Sequence, residues 1–403
     1  MRDAALREIR MKRSDATQRM AKSTRKTAPN ATNDGRTKKP LRAVGRAGSR
    51  NRGSDGATEL LVAWFQAAAR DLPWRRARDG YRALVSELML QQTQVSRVVE
   101  KFEPFLARFP TPAALAAATE DEVLAAWQGL GYYRRARLLH AAAKAVVERH
   151  AGEVPTDPEA LRALPGVGRY TAGAVSSIVF GAREPIVDGN VTRVFQRVEA
   201  REGSASDTAV QAWAWERAEA FVAAARAPGV ANEALMELGA TVCTPATPRC
   251  GACPLRAQCA AFAAGRVDEI PAPKKRVARK DLVLVTACVR RTDGAVLLEQ
   301  RPRGGLWGGL WQPPAVESAD GADLAPRAVG ELLGLPATAA LAAVGEVPFM
   351  TTHRAVRFVV FVAKVRGSGA AFAARGRVWV AADALGEFAL SNAAKRVLAS
   401  ARV

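Results

Sequence analysis

Four cysteines fall within seventeen residues, as Cys243-x6-Cys250-x2-Cys253-x5-Cys259, and nothing else in the 403-residue chain restricts its folding so tightly. A loop carrying four thiols at that spacing has to close on a common centre or leave them all idle. Disulfide frameworks belong to secreted proteins, and the N-terminus here shows no apolar h-region. A metal is the other way to use such a group. Zinc sites pair their cysteines in two short hooks, whereas this loop has one x2 pair flanked by single ligands at x6 and x5. The spacing fits four thiolates wrapped around one 4Fe-4S cluster better, with zinc or unrelated free thiols as the remaining readings. No redox-partner motif lies nearby, so a structural role is expected for the cluster.

Charge points to the partner. The formal net charge is +20, and residues 1–56 supply +11 of it, with sixteen Lys and Arg against five acids. The other +9 is spread over the remaining chain, so the excess is not confined to the tail. A basic surface of this kind favours polyanions, of which nucleic acid is the commonest. No apolar run reaches the roughly eighteen residues a membrane span needs. A cytoplasmic or nucleoid-associated location without a membrane partner is therefore expected. Residues 1–57 are polar and lack a sustained apolar period, which predicts a disordered tail, either a non-specific DNA-binding arm or a solvated extension.

From residue 58 to about 270 the chain is rich in Ala and Leu at helical spacing. Leu60, Leu61, Trp64 and Phe65 make one expected stripe, and Leu84, Leu88, Val95, Val98, Val99 and Phe102 another. Breaks at Pro73, Pro110, Pro112, Gly129, Pro155, Pro165 and Pro185 cut this region into many short helices. The Pro- and charge-rich stretch 271–280 reads as a linker. Beyond it, over 281–403, "DLVLVTACV", "GAVLLEQR", "VRFVVFVAKV" and "RVWVAA" read as strands, with one helical stretch near 326–333. The expected fold is a mainly α-helical region followed by an α+β domain. Cys288, inside a strand-like run, reads as a small core residue.

The most specific stretch is LPGVGRYTAGA, residues 164–174. A helix ends near Leu164, Gly166-Val167-Gly168 makes a tight hairpin, and a new helix starts at Arg169-Tyr170. Backbone N–H groups of such a hairpin can clasp a DNA phosphate without reading sequence; a plain helix–helix connection is the blander reading. Twenty residues on stands Asp188, either an N-cap or a catalytic carboxylate. Glu87 sits among Leu84, Val85, Leu88, Met89 and Leu90, at a solvent-facing helix edge or in a dry cleft. In a dry cleft its pKa would rise, so that it could donate a proton near neutrality. One protonated and one ionised carboxyl are what cleavage of a glycosidic bond needs. Gln91, Gln92 and Thr93, which break the apolar helix, carry groups suited to base edges.

These residues, with LPWR (72–75), GLGYYRRAR (129–137), VDGNVTRV (187–194), ANEALMELGA (231–240), the cysteine loop and GLWGGLWQPP (305–314), resemble the adenine DNA glycosylase family. The resemblance covers about 58–403. It implies a helix-hairpin-helix glycosylase region with an iron–sulfur loop, and a Nudix-like domain after it. The implied substrate is double-stranded DNA in which adenine is mispaired with 8-oxoguanine or guanine, handled by a monomer. Glu87 would then protonate adenine and later activate water, and Asp188 would stabilise the sugar cation, with Tyr170 beside it and Asn190 orienting the centre. Arg75 and Glu233 match positions contacting the extruded adenine, and Thr93, Leu130 and Tyr132 match positions around 8-oxoguanine.

In the second domain, "RAVGELLGL" (327–335) keeps Arg327 and Glu331 but has Ala328 and Leu332 where a Nudix hydrolase carries acids. Inspection of 8-oxoguanine through Thr352 and His353, rather than hydrolysis of free nucleotides, is implied, although Thr351 stands where the family has an aromatic ring. The endonuclease III family resembles this sequence too, but places a Schiff-base lysine where Tyr170 stands and lacks a counterpart of Glu87. A non-catalytic lesion-binding protein is the rival from another class, opposed by the joint presence of Glu87, Tyr170 and Asp188.

Overall fold

The structure, a computed structural model, describes residues 52–273, 278–318, 324–372 and 376–402. Nearly all of the basic tail, and residues 274–277 of the expected linker, lie outside the described residues. Up to Ala263 the elements are helical: α1 (Arg52–Ala68), α2 (Pro73–Arg76), α3 (Gly80–Leu90), α4 (Val95–Arg108), α5 (Pro112–Ala117), α6 (Glu120–Ala126), α7 (Arg134–Arg149), α8 (Pro158–Arg162), α9 (Arg169–Phe180), α10 (Gly189–Val198), α11 (Thr208–Ala224), α12 (Pro228–Thr241) and α13 (Ala260–Ala263). From Lys280 on come β1 (Lys280–Arg291), β2 (Val296–Gln300), β3 (Trp311–Gln312), β4 (Ala315–Glu317), α14 (Pro326–Leu332), β5 (Ala342–Met350), β6 (Arg354–Val365), β7 (Arg377–Val380) and α15 (Asn392–Ser400).

The helix starts follow from local chemistry. Pro73, Pro112, Pro158 and Pro228 occupy first-turn positions, where the missing N–H costs nothing. Asp79, Thr111, Asp157 and Asp188 each accept a backbone N–H of the first turn, and Thr119 with Glu122 forms a capping box. The prolines that punctuate the sequence are thus beginnings of helices as much as ends.

The two apolar stripes are narrower than the sequence predicts. Leu61 and Phe65 are buried while Leu60 is half exposed, and Val98 and Phe102 are buried while Val99 is exposed. Neighbours in a helix point about 100° apart, and at these two pairs the core covers only one of the two directions.

The strands form one sheet in the order β3-β2-β1-β6-β5, with β4 pairing β1 and β7 pairing β2. Its centre is the parallel pair β1 and β6, in register from Lys280 opposite Arg354 to Arg291 opposite Val365. One face packs on α14 through Val285, Leu297, Val329 and Phe361. The other face, with Leu284, Val360, Trp311 and Leu398, is continuous with the apolar core of α3 to α7. Cys288 is buried in that core, as expected. Polar contacts close the same seam: Tyr133 Oη donates to Leu390 O at 3.1 Å, Arg137 Nη2 to Gly308 O at 2.8 Å, and Gln128 Nε2 to Phe388 O. Among the described residues no helix is long and apolar enough to cross a membrane.

Close helix approach depends on glycine. Gly239 of α12 lies so near α10 that a Cβ there would stand 2.6 Å from Asn190 Cβ. Gly173 of α9 lies on the Pro185 carbonyl, which a Cβ would overlap. Backbone cannot move aside as a side-chain tip can, so Gly173→Ala should cost about 1–3 kcal/mol despite alanine's better helix propensity. Urea unfolding measures this, and a neutral or stabilising alanine would show that α9 is free to shift.

Candidate active site

A cavity of about 580 Å³ opens between α2, α3, α9, α12 and the start of α10. It collects most of the sequence-predicted set: Glu87, Tyr170, Asp188, Asn190, Arg75, Glu233, Gln91, Gln92 and Thr93 all line it. Ser86, Met236, Ile178 and Val179 complete its polar and apolar walls.

Glu87, on the last turns of α3, is 9% exposed. Burial pushes its pKa up to about 7; the Tyr170 hydroxyl works against that rise, and the charges of Asp188 and Glu233 add to it. The carboxyl is therefore in the dry cleft rather than at a solvent-facing edge. Near pH 7 it is poised to hold or release one proton. The Tyr170 hydroxyl donates to Met236 Sδ at 3.2 Å, and burial followed by the neighbouring carboxylates keeps the phenol protonated.

Asp188 is both an N-cap and a cavity residue, so its two readings are compatible. Its Oδ1 accepts Val191 N at 2.7 Å, and its Oδ2 accepts Asn190 Nδ2 at 3.0 Å. Burial raises its pKa, while the Val191 N–H and the Asn190 amide favour the ionised form. Asn190 is itself fixed, because its Oδ1 accepts Arg193 Nη2 at 2.8 Å.

One wall is an ion network. Glu233 and Glu237, four residues apart on α12, are 4% and 1% exposed. Arg75 bridges them, with Nε to Glu233 at 3.1 Å and Nη2 to Glu237 at 3.0 Å. Arg78 adds a 2.7 Å contact to Glu233, and Arg70 one of 2.6 Å to Glu237. Arg70, Arg78 and Glu237 are site residues that the motif reading missed. The four-residue spacing of Glu233 and Glu237 could have flagged them, since it puts both acids on one helix face opposite an arginine-rich stretch.

Leu130, Tyr132, Thr352 and His353 do not line the cavity. Tyr132 is 44% exposed with φ of 47°, and its hydroxyl lies 2.8 Å from Thr352 Oγ1. Residues expected around one base thus meet across the seam, outside the cavity. Leu130 lies buried behind them, with its carbonyl 3.4 Å from Thr93 Oγ1, and His353 is exposed. Gly166-Val167-Gly168 makes the turn between α8 and α9, with Gly166 at φ 79° and Gly168 as the N-cap.

Cys243, Cys250, Cys253 and Cys259 line one small second cavity together with Val194, Arg197 and Leu255, and none is in a disulfide. Arg197 Nη1 donates to Cys243 Sγ at 3.4 Å, and Cys259 Sγ donates to the Arg197 carbonyl at 3.2 Å. Burial pushes the Cys253 thiol up to about 11 and raises Cys259 as well, so only a cationic group would hold them as thiolates. Among the described residues no three metal-ligating side chains converge on a point fit for a single ion. Four cysteines around the walls of one cavity suit a wider group with several metal atoms.

The chain is similar to known proteins in both of its regions. Residues 85–220 match the HhH-GPD superfamily of base excision DNA repair proteins, and residues 285–400 match the NUDIX domain. The chain is 36% identical over 396 residues to adenine DNA glycosylase of Homo sapiens, covering 84% of this chain and 72% of that protein. To adenine DNA glycosylase of Mycolicibacterium smegmatis it is 46% identical over 215 residues, covering 51% of this chain and 71% of that one. Among solved structures, a thermostable thymine-DNA glycosylase aligns at TM-score 0.48 and 26% identity, over 53% of this chain and 98% of that chain.

The raised pKa of Glu87 has a measurable sign. The folded protein holds this proton up to about pH 7, whereas the unfolded chain releases it near 4.5. The contribution is complete below 4.5 and is lost as pH rises through 7. Between pH 4.5 and 8, wild type should therefore lose stability relative to Glu87→Gln, on the order of 3 kcal/mol. Denaturant midpoints at pH 5 and 8 check this, and parallel curves would place the carboxyl in water.

Proposed function

The chain belongs to the adenine DNA glycosylase family, and from that premise we propose that it hydrolyses the N-glycosidic bond of adenine paired with 8-oxoguanine or guanine in double-stranded DNA. One observation carries the reading: a carboxyl held near neutral pKa and a hydrogen-bonded helix-capping carboxylate share one cavity, which is roomy enough for a flipped nucleotide. The glycosidic bond is out of reach within a duplex, so adenine enters the cavity flipped out of the stack. Arg75 and Glu233 lie where the base edge would be read.

Protonated Glu87 gives its proton to adenine N7. The C1′–N9 bond then breaks with its electron pair going to the base. The sugar cation left behind is stabilised by ionised Asp188, held in place by the Val191 N–H and the Asn190 amide. Glu87, now a carboxylate, takes a proton from water as the oxygen adds to C1′, and is reset. Tyr170 is a phenol that stays neutral, and among the described residues no lysine lines the cavity, so in this reading water rather than an amine takes up the sugar cation and no Schiff base forms.

Residues 58–270 form the catalytic domain in this reading, and residues 281–403 a recognition domain. On α14, Arg327 and Glu331 pair with each other at 3.5 Å in the open, and one carboxylate is too few for the cation that phosphoryl chemistry requires. Thr352, in contact with Tyr132, and His353 next to it serve to inspect 8-oxoguanine. Gly166-Val167-Gly168 holds a backbone phosphate. The four cysteines hold a 4Fe-4S cluster, which when bound supplies a rigid staple and no proton or bond chemistry.

Glu87→Gln should lower single-turnover adenine release by roughly 10²–10⁴-fold while leaving duplex affinity nearly unchanged. Release within tenfold of wild type from an A:8-oxoguanine duplex would remove Glu87 from its role. Purified protein should contain iron and no stoichiometric zinc, with Cys253→Ser losing iron; zinc bound in its place would overturn the cluster assignment.

A further inference from the structure

Arg135, at the start of α7, is 6% exposed and among the described residues no carboxylate pairs with it. Burial lowers its pKa to about 10, so it remains a cation at neutral pH. Its charge is met by oxygens from two separate pieces of chain. Nη1 donates to Leu88 O and Met89 O, both at 2.8 Å, and to Gln91 O; Nη2 donates to Thr93 Oγ1 at 2.8 Å. Nη2 also donates to Gly131 O at 3.1 Å and Leu130 O at 3.2 Å. The first set is the end of α3, where carbonyls lack helical partners and the helix dipole attracts a cation. The second is the turn that carries Tyr132, whose ring lies 5.5 Å from the guanidinium.

Both pieces have a residue in the left-handed region, Gln92 at φ 55° and Tyr132 at φ 47°. Such backbone persists only where its surroundings hold it, and the guanidinium fork bonds to both sides of Gln92 and to the two carbonyls that precede Tyr132. Glu87 lies one residue before Leu88. We propose that Arg135 is a positioning residue that locks the Tyr132 turn to the α3 end, so that the base opposite adenine determines how well Glu87 is aligned. This rests on the functional reading above.

Arg135→Lys keeps the charge but replaces a planar fork by a point, which cannot span both sets of acceptors. In the full chain, single-turnover excision from A:8-oxoguanine should fall about tenfold or more, with the A:G rate within about threefold of wild type. An unchanged ratio, or equal loss on both duplexes, overturns the inference. Should Arg135→Lys fail to fold, hydrogen exchange on wild type decides. Peptides covering 88–93 and 130–135 should slow together on binding an 8-oxoguanine duplex, and less with guanine in its place; protection of one without the other overturns the coupling. If wild type excises from neither duplex, the functional reading fails and takes this inference with it; equal excision from both leaves that reading standing and overturns the inference alone.

Discussion

A carboxyl group taken out of water must give up its charge or be met by a cation or by hydrogen bonds, and the large cavity holds every version of that choice. Glu87 has no cation and its pKa rises to about 7. For Glu237, burial pushes upward, but Arg70 and Arg75 bring the group below the usual carboxylate range. Asp188 lies between, raised by burial and moderated by the Val191 N–H and the Asn190 amide. The functional division of the site is this set of local solutions. A neutral proton donor can face a fixed ionic wall because each acid meets a different neighbour, within a few residues of α3, α10 and α12.

That arrangement depends on α10, whose first turn is in the cavity and whose side chains reach the cysteine loop. Arg193 donates to Asn190 Oδ1 and Gly239 O, both at 2.8 Å, and through Nε to Cys243 O at 2.8 Å. One turn on, Arg197 binds the carbonyls of Ile270 and Thr244 and the sulfur of Cys243. Two arginines that lean on backbone carbonyls thus tie the loop 243–259 to the Asp188–Asn190 pair. The loop is part of the scaffold that fixes the position of Asp188, although its cavity is a separate one.

Much of this was legible in the sequence because it depends on local rules. The capped start at Asp188, the hairpin at Gly166, and the β1 and β6 runs all have short-range signatures. β5 escaped notice because AAVGEVPFM joins Gly and Pro to alanines, and an edge strand needs little propensity once β6 templates it. The α15 helix escaped too, although Ser391 caps it and Ala393, Ala394, Val397 and Leu398 mark its buried face. Linker residues 271–273 also proved less free than their composition suggests, because Ala272 N donates to Gly203 O at 3.1 Å. Arg135 and Arg193 were invisible for a different reason. Their partners are chiefly backbone oxygens, and no pattern of residue types encodes which carbonyl a guanidinium will meet.

The contact between Tyr132 and Thr352 joins two exposed hydroxyl-bearing side chains, one from each side of the seam. Water competes for both hydroxyls, so the bond contributes only about 0.5–1.5 kcal/mol. The seam beneath it is closed by buried apolar packing and by Tyr133, Gln128 and Arg137. The seam is therefore firm in its interior and weakly joined at this surface contact. Among the described residues, parting 132 from 352 breaks one solvent-exposed hydrogen bond and leaves the apolar core of the seam in place.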